Sequence, residues 1–307
     1  MYCDQYLGRL DQAKTAAEQS RAKKLNSPWY PLILYVVDFL QNNPAGMAEQ
    51  ATAAQGIPGV EDQMFFVQSE TAANHGQFGQ ARELARRAAD SARRAQENET
   101  AAEYEGHNSL REGLVGLADS AKADAQSALS AIKGKHGEGF SAIAFALAGD
   151  TDDANRAIED LTKRFPQNTV VQTRYLPMAR SALALNSRNA QAALDALTAA
   201  APYELGHTNE DFTFAVYPVY FRGQAYLAAK NGAAAVSEFQ KILDHSGVVG
   251  NEPIGALAHL GLGRAYALSG DSAKAKIAYQ DFFALWKNAD PEVPILKEAK
   301  AEYAKLQ

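Results

Sequence analysis

A small residue, followed four positions later by an apolar one, recurs along this chain at a nearly constant period. Ala13, Met47 and Ala81 stand 34 residues apart at each step, and looser copies follow at Ala125, Ala154, Ala193, Ala235 and Ala275, with spacings of 44, 29, 39, 42 and 40. This period, with the small residue in its second half, marks a stacked helix–turn–helix unit. No such unit buries its apolar face alone, so consecutive units must pack on one another. An array of this kind presents a surface, and that places binding ahead of catalysis among the functions to expect.

Composition agrees. Hydrophobic residues make up 47% of the 307, ample for a buried core. Alanine dominates them, which favours helices packed backbone-close over strands. The expected fold class is therefore all-α. A net charge of −6 argues against a nucleic-acid partner, which would want a basic face to displace counterions. Cys3 is the only cysteine, so neither a disulfide framework nor a cysteine metal site is available. The longest apolar stretch, Pro31 to Leu40, contains Asp38 and is about half the ~20 residues of a membrane span. Asp4, Arg9 and Asp11 stand where a signal peptide would be apolar. The chain as given reads as soluble, and as extracytoplasmic only if a span precedes it.

The last unit is the clearest. GALAHLGLGRAYALSGDSAKAKIAYQ gives a helix, a Ser269-Gly270-Asp271 turn and a second helix. Gly270 suits the left-handed residue that closes the first helix, and Asp271 or Ser272 the cap of the second. Gly263 and Ala275 are small where the helices cross, with Leu262, Tyr266 and Tyr279 filling between. Forty residues earlier, Gly223, Tyr226, Asn231-Gly232, Ala235 and Phe239 stand in the same order. Ala142, Phe145, Gly149, Ala154, Ile158 and Pro166 repeat the pattern, as do Ser69, Gly76, Ala81 and Ala85, then Gly113, Ala125 and Leu129, then Ser181, Ala193 and Leu197. The second unit departs most, with Met47 at the small position and Asn42-Asn43-Pro44 at the turn.

These residues resemble the tetratricopeptide repeat over nearly the whole chain. The resemblance implies a right-handed α-solenoid of about eight helix–turn–helix units over residues 1–290, with repeat centres near 13, 47, 81, 125, 154, 193, 235 and 275. A C-terminal capping helix follows over 291–307. In that helix Ile295, Leu296, Ala299, Tyr303 and Leu306 share one face, opposite Lys297, Glu298, Lys300, Glu302 and Lys305. The first unit begins at its turn, with only MYCDQYL before it, which suggests a fragment of a longer polypeptide. Segments such as GQARELARRAADSARRAQENETAA are similar to the C-terminal repeat regions of bacterial, especially acidobacterial, eukaryotic-like serine/threonine kinases and of related winged-helix regulators. In those proteins the effector domain is N-terminal.

The kinase chemistry itself is not expected here, because the Gly-rich phosphate loop, strand lysine, HRD-type loop and DFG-type aspartate are all missing. GLGRAY at 261–266 falls within a helical pattern, and GKHGEG at 134–139 reads as a turn between units. His75, His107, His136, His207, His245 and His259 show no HExxH and no paired metal spacing, so no metal and no cofactor is assigned. His207, near Glu204, Glu210 and Asp211, lies in the most polar interhelix stretch. Arg82, Arg86, Arg87, Arg93 and Arg94 form a basic stripe, balanced by Glu83, Asp90 and Glu97 as a solvated face.

Counting from Gly223, Tyr217, Tyr220 and Gln224 fall on the face that lines the concave groove in the tetratricopeptide family. Tyr175, Met178, Leu260 and Arg264 hold equivalent positions in neighbouring units. Tyrosine, methionine and arginine suit a protein interface. The lysine–asparagine clamp with which some family members hold acidic C-terminal peptides is replaced by Phe66, Leu110, Leu114 and Ile143. The expectation is a non-catalytic scaffold that binds a peptide or protein in its concave groove. The alternative is a regulatory or oligomerising segment of a signalling enzyme.

Overall fold

Ten times among the described residues the backbone makes the same turn. At Gly8, Lys24, Asn42, Gly76, Gln96, Gly116, Gly149, Arg188, Lys230 and Gly270 one residue adopts a positive φ, between 53° and 84°. The next amide then returns to the carbonyl five residues back, from Arg9 N to Asp4 O through to Asp271 N to Tyr266 O, at 2.7–3.0 Å. This bond satisfies carbonyls that a helix end would otherwise leave unpaired. Five residues beyond eight of them, all but Lys24 and Gln96, stand Ala13, Met47, Ala81, Ala121, Ala154, Ala193, Ala235 and Ala275. All seven alanines are 0% exposed. Met47, the departure in the pattern, is half-buried.

Ala121 therefore holds the position that the sequence pattern gives to Ala125. Both are fully buried, one helical turn apart, and two alanines four residues apart share a face. Only the turn at Gly116 distinguishes them. Measured from the turns, the two flanking spacings become 40 and 33 residues rather than 44 and 29.

The computed structural model describes residues 1–25, 27–206 and 215–306, and among them every regular element is helical. In order these are α1 (Tyr2–Tyr6), α2 (Leu10–Ala22), α3 (Tyr30–Leu40), α4 (Pro44–Ala53), α5 (Glu61–Asn74), α6 (Phe78–Arg94), α7 (Asn98–Leu114), α8 (Ala118–Ala131), α9 (Lys135–Leu147) and α10 (Thr151–Arg164). A single π turn, Val171–Tyr175, leads into α11 (Leu176–Asn186), and α12 (Ala190–Ala196) runs out as a 3-10 turn, Leu197–Tyr203. Then come α13 (Tyr217–Ala228), α14 (Gly232–Asp244), α15 (Ser246–Val249), α16 (Pro253–Leu268), α17 (Ser272–Leu285) and α18 (Pro294–Ala304). The side chains of Asn43, Asp150, Asn189, Asn231 and Asp271 cap their helices by accepting from the amide three residues on, each worth about 1 kcal/mol. No described helix is long and apolar enough to cross a membrane.

The first helices of successive pairs pack on one another, α7 on α9, α9 on α11, α11 on α13 and α13 on α16. The GKHGEG segment is not a turn: from Lys135 it is the opening of α9. Its glycines serve a close crossing instead. A Cβ on Gly106 of α7 would lie 2.9 Å from the Gly137 carbonyl, and one on Gly139 only 2.4 Å from the Tyr175 ring.

The chain also closes on itself. Trp286 packs edge-on against Phe78 and donates from Nε1 to the Asn74 carbonyl at 2.9 Å. Asp290 bonds the Gly76 turn through its own amide and accepts from Gly79 N. Ile295 N reaches the Val115 carbonyl, and Gln5 Nε2 donates to the Gly247 carbonyl. Ile295, Leu296 and Ala299 of α18 are buried as the pattern expects. Glu302, expected on the outer face, turns inward and accepts from Arg264 Nε and the Tyr279 hydroxyl, both at 2.9 Å.

Candidate functional site

A cavity of about 210 Å³ opens between α1, α3, α5, α7 and the segment around Gly250. Tyr2, Tyr6 and Glu103 stand half-buried at its rim, while Glu70 and His107 lie buried at its floor. The helical repeat explains the wall. Phe66 and Glu70 are four residues apart on α5, as Glu103 and His107 are on α7, so each pair shares a face. Phe66 and Tyr104 stack with centroids 4.8 Å apart. The Tyr104 hydroxyl donates to Asp62 Oδ2 at 2.8 Å, and burial, reinforced by the Asp62 charge, holds that phenol well above its ordinary pKa.

Beneath the floor three side chains from distant parts of the sequence converge. Glu70, His107 and Glu252 are all buried, and one donor atom from each lies within 4.8 Å of the others. His107 Nδ1 is 3.8 Å from Glu70 Oε1, and its Nε2 is 3.6 Å from Glu252 Oε1. Glu252 is delivered by the entry to α16, where Asn251 Nδ2 donates to the Val67 carbonyl and Thr71 Oγ1, and Asn74 Nδ2 donates to the Glu252 carbonyl. The Tyr217 hydroxyl fixes the other carboxylate oxygen, Glu252 Oε2, at 2.7 Å. Burial lowers the His107 pKa to about 4, against the pull of Glu252 and with a smaller push from Arg111. The imidazole is therefore neutral at pH 7, and its ring packs edge-on to Phe140 at 4.7 Å.

Arg111, fully buried one turn further along α7, lies over the Phe66 ring at 5.3 Å and donates to Asn108 Oδ1. Asn108 in turn donates to Asp124. Next to it, Glu112 accepts from Arg82 at 2.6 Å. Burial, then the nearby Asp124 charge, still pushes the Glu112 carboxyl up to about 7.

The residues expected to line the groove are distributed differently. Tyr175, Met178 and Leu260 are fully buried in the core, where the Tyr175 hydroxyl meets His136 Nδ1 at 2.8 Å. Tyr217 belongs to the Glu252 cluster. Tyr220, Gln224 and Arg264 come together on a second cavity of about 280 Å³, with Glu298 of α18 on its wall. The arginine stripe on α6 is matched by its own acids, Arg86 with Glu83 and Asp90, Arg93 with Glu105. Glu204 is paired with Arg222 and Lys241, while His207, Glu210 and Asp211 lie outside the described residues.

Pattern reasoning missed the Glu70–His107–Glu252 cluster because these residues are 37 and 145 positions apart. Nor does α7 single them out, since His107 and Arg111 stand in a helix that also carries Glu99, Glu103, Glu105, Asn108 and Glu112.

The fold and the cavity define the class: an all-helical chain of repeated helix–turn–helix form, closed on itself around a polar interior. No protein-family model matches the chain, and a search of curated proteins returns no match.

Proposed function

We propose that the chain is a right-handed α-solenoid of tetratricopeptide type, with eight units, that acts as a non-catalytic binding module. Its ligand is a basic segment of a protein partner, one lysine or arginine side chain of which enters the cavity between α1, α3, α5 and α7. One observation carries this reading: the stacked rings of Phe66 and Tyr104, with Tyr2 and Tyr6 at the rim, enclose the same space that Glu70 and Glu103 line. Aromatic faces and carboxylates around one pocket suit an alkyl-ammonium or guanidinium group through cation–π and charge attraction together. Arg87 over Phe65 at 4.0 Å shows the same pairing within the protein. Because the helices are already fixed by their neighbours, little ordering cost remains for binding.

Fluorescence anisotropy with labelled basic and acidic peptides tests it. Basic peptides should bind, and Tyr6→Ala combined with Glu103→Gln should weaken them at least about tenfold, or about 1.4 kcal/mol, with helical content unchanged. Binding should also fade toward 1 M salt, where the screening length is about 3 Å. Equal affinity for acidic peptides, or indifference to the double substitution, would defeat the assignment.

A further inference from the structure

We propose that Glu70, His107 and Glu252 form a site for one divalent transition-metal cation of the zinc type, which clips α16 to α5 and α7. The site shares Glu70 with the cavity of the peptide reading, but it does not rest on that reading: metal uptake and peptide binding are measured separately.

Two carboxylates and one imidazole are a donor set that zinc and its neighbours accept, and the imidazole favours them over magnesium or calcium. The three donor atoms already lie within 4.8 Å of one another. Around one zinc ion, with bonds of about 2.0–2.2 Å, donors stand about 3–3.5 Å apart; the ion takes one ring nitrogen of His107, so the carboxylate that now faces the other nitrogen must swing toward it. A supporting shell exists as well: the Tyr217 hydroxyl holds Glu252 Oε2, as outer-shell donors orient ligating carboxylates elsewhere. Access is present, because Glu70 and His107 line the cavity.

A second, independent observation points to a cation. Glu252 is 0% exposed, and its Oε1, the oxygen directed at the imidazole, has no hydrogen-bond partner among the described residues. Burying a carboxylate oxygen without a partner is costly unless a charge compensates it. Arg111 lies near the cluster, but its charge is shared with Asp124 and Glu112, which it also stabilises.

The test uses the full chain stripped with a chelator and titrated with Co²⁺, whose visible absorption reports ligation. One equivalent should bind, Zn²⁺ should displace it, and Zn²⁺ should raise the melting temperature of the stripped protein. His107→Gln and Glu252→Gln should abolish the absorption. Glu70→Gln separates a metal site from a merely structural carboxylate. It keeps the volume but removes one like charge, so the stripped variant should melt above the stripped wild type and no longer respond to Zn²⁺. If wild-type protein takes up no Co²⁺ and melts identically with and without Zn²⁺, protons balance the cluster and the proposal fails. It fails equally if all three variants retain stoichiometric binding. Because the wild-type titration decides alone, a variant that does not fold leaves the answer intact.

Discussion

The first helices of the packed pairs have two different fates at the two ends of the chain. Between α1 and α7 they bear aromatic rings, glutamates and a histidine around a cavity. Between α11 and α18 a second cavity remains, but its charge is already matched by the chain itself: Tyr220 is buried, and Arg264 is taken up by Glu298 and Glu302. Both ends are built on the same turn and, Met47 apart, on the same buried alanine, so the difference does not come from the repeat. It comes from α18, which folds back to supply carboxylates to an arginine that would otherwise face outward. In a helical array the first-helix face is a template, and what covers it decides whether it recognises a partner or becomes core.

The most disruptive way to break this comparison is Trp286→Ala, which removes the anchor of the C-terminal units on Gly76 and Phe78. A loss of about 3–5 kcal/mol is expected. Hydrogen exchange should accelerate in α16–α18 while α7 and α9 stay protected, because repeat arrays open unit by unit.

The polar interior should announce itself through pH. Glu112 is raised from 4.5 to about 7 in the folded chain, so between these values the folded state holds a proton that the unfolded state has released. This contribution is complete below about 4.5 and is lost as the pH rises through 7. Denaturant titrations from pH 5 to 8 should show stability falling by on the order of 1–3 kcal/mol from this group, and Glu112→Gln should flatten that slope.

At the C-terminal end, Arg264→Ala should cost about 1–2 kcal/mol by taking from Glu302 the guanidinium that holds its carboxylate together with the Tyr279 hydroxyl. Restoring less than half of this with lysine in equilibrium unfolding would show that the planar guanidinium matters there. The smallest effects belong to the caps. Asn231→Ala should cost about 1 kcal/mol. Asn43→Ala should cost more, since Asn43 also donates to the buried Asp38 at 2.8 Å. Equal losses in thermal melts would show that the Asp38 contact contributes nothing.

Much of the fold was legible because its determinants are local. The Gly270-Asp271 turn and the cap at Asp271 follow from residues a few positions apart, and the small Gly263 beneath the Tyr279 ring from two helices joined by that turn. Register was legible only to within a helical turn, as Ala121 and Ala125 show. The glycines at 134–139 misled because glycine serves both turns and close helix crossings, and sequence does not say which. The glutamates and histidine of the site were not legible, because no local spacing connects them.

The sequence by itself determined that the chain is helical, where most of its turns fall and which alanines are buried, because propensity, capping and the left-handed turn act over a few residues. Only the tertiary structure decided that Glu252 arrives beside Glu70 and His107, and that Arg264 is paired with Glu298 and Glu302. Those juxtapositions depend on how far the stacked helices rotate around the array, a sum of small angles over many units that no single stretch of sequence contains.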